Sequence, residues 1–358
     1  MKTNFLITMM AASLTSVCVL AASAPVFYPG NPEQPRIQFL KAINGSSAFI
    51  TGNGYGDRFP NYKGHIKNET NPIVKPYGLA VTQGKIFVCD AGTGTVKIFD
   101  LEKKMIGTIG DQKIGKLGMP MNIAIDADGT RYVADTALMK IMVYNSNNTF
   151  VKEISGPDKV NPNDPEKMKP TDVVILKGKL YVTDVANSQI VVIDPKTGAI
   201  QSRFSQAGVE AGDLFKATNL TTDAAGNIFV ADTIGGKVSV FSDAGKYLRS
   251  YGGIGDQLGH FARPKGVAVD RENRLYAIDA AFENVQVFNN EGKLLLPFGV
   301  AGNTDGGLNM PAKVVVDYNN TKYFKDQVAP GYDIDYLIYV TNQFGDNKVN
   351  VYGFLKKL

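Results

Sequence analysis

The sequence predicts an all-β fold, a six-bladed β-propeller of four-stranded blades in which an N-terminal strand completes the last blade. Two observations predict it. A strand, polar turn, strand unit recurs six times along the chain, and no convincing amphipathic helix of ten or more residues interrupts the series.

The six copies are GKIFVCDAGTGTVKIFD from Gly84, GTRYVADTALMKIMVYN from Gly129, GKLYVTDVANSQIVVID from Gly178, GNIFVADTIGGKVSVFS from Gly226, NRLYAIDAAFENVQVFN from Asn273 and YLIYVTNQFGDNKVNVYG from Tyr336. Their common anchor is Asp90, Asp135, Asp184, Asp232, Asp279 and Asn342; the first five stand about 45 to 49 residues apart, and an insertion at about 321–335 widens the last gap. Three residues before each anchor sits an aromatic ring: Phe87, Tyr132, Tyr181, Phe229, Tyr276 and Tyr339. After the turn, the second strand of each unit carries Phe99, Tyr144, Ile193, Phe241, Phe288 and Tyr352. A short acceptor that ends a strand before a turn satisfies the turn's exposed N–H groups. The repeated carboxylates therefore read as turn caps and not as a ring of metal ligands.

Ahead of each unit another strand starts at Pro76, Pro120, Pro170, Pro264 or Pro311, with Ala217 as the exception. After the first five units comes a fourth β-rich stretch: KKMIGTIG, TFVKEIS, AIQSRFS, KYLRSYG and KLLLPFG. The sixth unit has none, because the sequence reaches Leu358 soon after Tyr352, whereas RIQFLKAI at 36–43 has no blade of its own. That segment is expected to become the outermost strand of blade six, since an open ring would leave sheet surface and edges unprotected. Runs such as IFVC and LYVT, apolar on both faces, suit sheets covered on each side by neighbours.

The bulk composition agrees with a large globular unit: 358 residues, 44% hydrophobic and 20% charged. Lys and Arg number 38 against 34 Asp and Glu, a net charge of +4 without any run of five or six like charges, which argues against a nucleic-acid partner. Residues 1–24, MKTNFLITMMAASLTSVCVLAASA, combine one Lys, an apolar stretch and a small-residue exit, the pattern of a secretory signal that leaves 25–358 as a single domain. Pro25 is a poor residue to follow the cut, and a signal ending before a lipid-modified Cys18 is the competing reading, in which that lipid is the only membrane contact. Either way the chain is expected to be exported, to the periplasm or the cell surface. Cys89 is then left without an intrachain partner, so burial and strand pairing hold the fold.

The aromatic, small residue, Asp and following hairpin resemble the NHL repeat over about 36–353. The strand at 36–43, PYGLAV opening blade one and TNQFGDNKVNVYGF at the end resemble exported bacterial six-bladed propellers of that type. With no Trp anywhere, the WD type is a poor match. The resemblance implies that inter-blade connections share one face with the turns between second and third strands. The long connections at 44–75 and 156–169 should then crowd one mouth of the central channel.

That mouth also receives the second residue after each proline: Gly78, Asn122, Asp172, the equivalent Asn219, Gly266 and Lys313. A recognition surface of Tyr77, Asn122, Asp172, Asn219 and Lys313 is expected there, with His65 and His260 in the neighbouring connections; a water-filled funnel without a specific ligand is the competing expectation. No catalytic residue is assigned. Cys89 fills a slot held elsewhere by Ala134, Thr183, Ala231, Ile278 and Thr341, a tight buried position and not a nucleophile's. Gly52, Gly54 and Gly56 lack the following helix that a phosphate loop needs. Two histidines without HxH, HExxH or CxxC spacing speak against zinc. No cofactor is expected, although a calcium ion at the mouth, held by Asp172, Asn122 and Asn219, is what such a donor set allows.

The function these features imply is a non-catalytic binding or scaffold module of the bacterial cell envelope, recognising a protein, peptide or glycan through one propeller face. The alternative is a metal-dependent lyase or lactonase-like hydrolase with its site at the channel mouth. Family lyases rely on a histidine-rich metal site that two loop histidines do not reproduce. Fold alone does not choose between them.

Overall fold

Strands that are apolar on both faces need cover on both sides, and the molecule supplies it by standing six antiparallel sheets side by side around an axis. The structure is a computed structural model and describes residues 24–30, 32–49, 70–157 and 167–358. Blade one runs Pro76–Thr82, Lys85–Asp90, Thr95–Asp100 and Met105–Ile109, from the axis outward. Blades two to five repeat this order, with inner strands Pro120–Ile125, Pro170–Leu176, Ala217–Thr222 and Pro264–Val269. The inner strands pack on one another all the way round, blade six against blade one included.

Blade six is assembled from both ends of the chain. Its inner three strands are Pro311–Asp317, Tyr332–Asn342 and Val349–Lys357, and the N-terminal strand Ile37–Ile43 pairs antiparallel with the last of them, Gln38 opposite Gly353 and Lys41 opposite Val351. Two features go beyond the sequence expectation. A short strand, Phe27–Tyr28, adds a fifth position outside Ile37–Ile43, and the hairpin of Tyr332–Asn342 and Val349–Lys357 is longer than its counterparts. Within the 321–335 insertion, two short 3-10 turns, Thr321–Tyr323 and Lys325–Gln327, precede that lengthened strand. Buried Gln38 clamps the insertion by donating to the Gln327 carbonyl at 2.8 Å and accepting from the Ala329 N–H at 3.0 Å.

The core is divided into six clusters, one in each gap between adjacent blades. The aromatic position before each anchor feeds them: Phe87 fills the gap between blades one and two, Phe229 that between four and five, and Tyr339 that between six and one. Because every sheet is shared between two gaps, its inner strands have no polar face at all, and this is why strict alternation is absent. Outer strands such as Phe150–Ile154 and Tyr247–Gly252 alternate half-buried and exposed residues, because one side faces solvent. Among the described residues no helix is long and apolar enough to cross a membrane.

Candidate binding site

One face of the toroid gathers the connecting segments. In every blade the residue that opens the inner strand pairs with the anchor that closes the second, for example Pro76 with Asp90 and Pro264 with Asp279, so inter-blade connections and second-to-third-strand turns meet at the same end. The buried anchor carboxylates bind the two together. Asp90 accepts the Val74 and Lys75 N–H groups at 2.9 and 2.8 Å and the turn N–H of Gly92 at 3.1 Å. Asp135 does the same for Gly118, Met119, Ala137 and Leu138, Asp232 for Phe215, Lys216 and Gly235, and Asp279 for Ala262, Arg263, Ala281 and Phe282. Asp184 takes Lys169, Ala186 and the side chains of Asn187 and Gln189. In blade six Asn342 accepts only Asn309 N–H through its oxygen and uses its amide NH2 on the Asn347 carbonyl. Each Asp answers several backbone donors that burial would otherwise orphan.

Directly inside this face every inner strand carries a register irregularity just after its opening residue, between Pro170 and Asp172 in blade three and between Ala217 and Asn219 in blade four. A bulge re-aims the side chain beyond it. Two of the expected lining residues, Asp172 and Asn219, therefore point along the ring toward the next blade. Asp172 Oδ2 accepts the Leu220 N–H of blade four at 2.9 Å, and Asn219 Oδ1 accepts the Val267 N–H of blade five at 3.3 Å. The same direction explains the two glycines: a Cβ on Gly78 would stand 2.3 Å from the Met121 carbonyl oxygen, and one on Gly266 2.7 Å from that of Ala312.

Lys313 of blade six crosses the channel. Its ammonium donates to Asp172 Oδ2 at 2.9 Å and to Asn219 Oδ1 at 2.8 Å, with the Leu220 carbonyl at 3.4 Å. Asp172 and Asn219 are 1% exposed and Lys313 7%, so the trio is a buried polar knot. Burial pushes the Asp172 carboxyl above its ordinary range and the Lys313 charge opposes that shift. The donor set considered for calcium does not fit, because an ammonium already occupies the place between two of the three side chains. Among the described residues no group of three or more His, Cys, Asp or Glu could hold a metal ion. Asn122 is equally buried; its oxygen accepts the Ile123 N–H at 2.9 Å, and the amide NH2 groups of Asn122 and Asn219 have no acceptor among the described residues. Burial also raises the Cys89 thiol well above its usual range, so this fully buried sulfur is not a thiolate nucleophile.

Tyr77, next to Pro76 at the start of the inner strand of blade one, is 8% exposed. Burial, and then the negative charge of Asp172, raise its phenol, and the Lys265 ammonium sits 5.3 Å from its ring centroid. Lys265 is half-buried; desolvation, and then repulsion from Arg263 and Lys75, bring it down to about 8. Lys75 in turn stands 5.2 Å from the ring of Phe344. None of these three cations has a carboxylate partner among the described residues. Sequence reading missed them because, Tyr77 apart, it followed the second residue after each proline. The positions on either side of the proline, Lys75, Arg263 and Lys265, carried the signal. His260 is exposed on the blade four to five connection, where its carbonyl accepts from Gln286, while His65, Cys18 and the glycines at 52, 54 and 56 lie outside the described residues.

The rim outside this centre is apolar. Val74, Met119, Phe215, Ile234, Phe282 and Phe344 are 41–58% exposed, all on connections or turns of the one face.

No protein-family profile matches the chain. Its fold is similar to that of a streptogramin B lyase (TM-score 0.55, 13% identity, covering 81% of this chain and 96% of that one). It is similar also to a Bacteroides thetaiotaomicron protein of unknown function (TM-score 0.58, 15% identity, 90% of this chain and 76% of that one). A third similarity is to the hydrazine synthase of Kuenenia stuttgartiensis (TM-score 0.51, 13% identity, 81% and 97%). At these identities the likeness is one of fold: the chain is a six-bladed β-propeller.

Proposed function

We propose that this propeller, of the NHL type and exported, is a non-catalytic binding module of the cell envelope that holds a partner against the face where its connections and turns meet. The observation that carries the reading is the composition of that face, an exposed apolar rim around a cationic, aromatic centre. Such a surface has the apolar area and the charged anchors by which proteins are recognised. Among the described residues beneath it, Asp172, Asn219 and Lys313 are engaged with one another in holding blades together.

The competing reading, a metal-dependent lyase or lactonase-like hydrolase, has in its favour the fold likeness to streptogramin B lyase. Against it stand the Lys313 ammonium between the candidate calcium ligands and the single histidine, His260, placed outside the central channel among the described residues. A related virginiamycin B lyase from Staphylococcus aureus is catalytically inactive once a histidine is replaced by alanine.

The test pairs two measurements on purified protein. Phe282→Ser with Phe344→Ser should abolish retention of whatever envelope component the unaltered protein retains, while metal analysis finds no stoichiometric ion. Tightly held calcium or zinc, together with opening of a streptogramin B or lactone ring, would replace this reading with the enzymatic one.

A further inference from the structure

We propose that the sector of the mouth formed by blades five, six and one is a carboxylate-binding subsite, in which Lys265, Arg263 and Lys75 receive an acidic side chain of a polypeptide whose apolar residues lie on Phe282, Phe344 and Val74. This rests on the reading that the connection face is the binding face, and it names the chemistry of the partner.

The argument begins with where the cations stand. Arg263 and Lys265 flank Pro264 at the start of blade five, and Lys75 precedes Pro76 at the start of blade one. Between them blade six presents Ala312, fully buried, at the place equivalent to Lys265 and Tyr77. A small side chain there lets Lys265 extend over blade six to the Tyr77 ring of blade one. The ring holds the ammonium from one side by cation–π attraction, and among the described residues the charge is otherwise met only by two more positive charges. Lysine ordinarily escapes such a position by pointing into water. Here packing keeps it half-buried, so a carboxylate entering the sector would gain three attractive charges in a partly desolvated setting.

The apolar surroundings decide the class of ligand. Phe282, Phe344 and Val74 offer hydrocarbon without hydroxyl or indole donors, and this suits leucine- or phenylalanine-like side chains better than sugar hydroxyls. An acidic peptide with apolar residues matches both halves of the surface.

The probe is a blocked Glu-Glu-Phe-Glu-Glu peptide, compared by calorimetry at low salt with its Gln-Gln-Phe-Gln-Gln analogue. The acidic peptide should bind about tenfold tighter than the neutral one, and Lys265→Gln and Arg263→Gln should each remove most of that preference. Both substitutions sit at the mouth, and a thermal midpoint no lower than that of the unaltered protein verifies folding. Equal affinity for the two peptides, absence of binding, or variants that keep the preference would overturn the subsite. Inorganic phosphate displacing the peptide at matched concentration would also overturn it, by assigning the cations to a small anion. If Phe282→Ser and Phe344→Ser weaken both peptides while the cation variants weaken neither, the binding face stands and the carboxylate subsite falls.

Discussion

Two lysines of the inner strands, Lys313 in blade six and Lys265 in blade five, lie within two residues of a proline and meet opposite fates. Lys313, beyond the bulge, is buried and saturated by Asp172, Asn219 and the Leu220 carbonyl. Lys265, one residue closer to its proline, leans on an aromatic ring among other cations. One step of register in a strand turns a side chain to the other side. In this ring that step separates a charge spent on joining blades from a charge that meets no carboxylate among the described residues.

The largest effect should come from breaking the buried knot. Lys313→Ala strands the Asp172 carboxylate and should cost roughly 3–5 kcal/mol in urea unfolding. Replacing both partners, Lys313→Met with Asp172→Leu, should recover most of that loss, and a double variant as unstable as the single would show that the charge pair itself holds the ring. Next in size is the anchor: Asp232→Ala orphans three backbone N–H groups and should cost roughly 3 kcal/mol, whereas Asn342→Ala, with a single backbone N–H to lose, should cost about 1 kcal/mol. Gly266→Ala drives a methyl into the blade-six backbone and should lower stability by roughly 1–3 kcal/mol, read from the same denaturation curves.

The smallest effect has the opposite sign. Lys265 titrates at about 8, below the ordinary 10.5, so its charged form is disfavoured by folding. The folded state therefore carries this penalty fully below pH about 8 and sheds it as pH rises toward 10.5. Lys265→Gln should stabilise the protein by roughly 1 kcal/mol at pH 7 after allowance for solvent screening, and the difference should vanish above that window. A gap between the two proteins that stays constant with pH would mean that Lys265 is not strained in this way.

The blades were legible because a repeat states the same packing problem six times: anchor, ring and second aromatic must recur wherever two sheets share a gap. The closing strand was legible for the same reason, as the one unmatched strand facing the one incomplete blade. Phe27–Tyr28 escaped because a two-residue strand has no period to read. At the site, the polar identity of Asn122, Asp172, Asn219 and Lys313 was visible, but the bulge that points Asp172 and Asn219 at the next blade was not, since any residue can occupy it. Whether a polar group meets a ligand or its own chain depends on that turn of the backbone. The flanking cations Lys75 and Arg263 were hidden by a different cause. Nothing in a single sequence distinguishes a lysine that has found a carboxylate from one that has not.

The seam between Ile37–Ile43 and Val349–Lys357 also governs how the molecule comes into being and how it is taken apart. During synthesis Ile37–Ile43 stays an unsaturated β edge until Val349–Lys357 has followed, so blade six closes only after the other five have emerged. Loss of Ile37–Ile43 or of Val349–Lys357 would open one and the same wedge, and with it the two gaps that blade six fills against blades five and one.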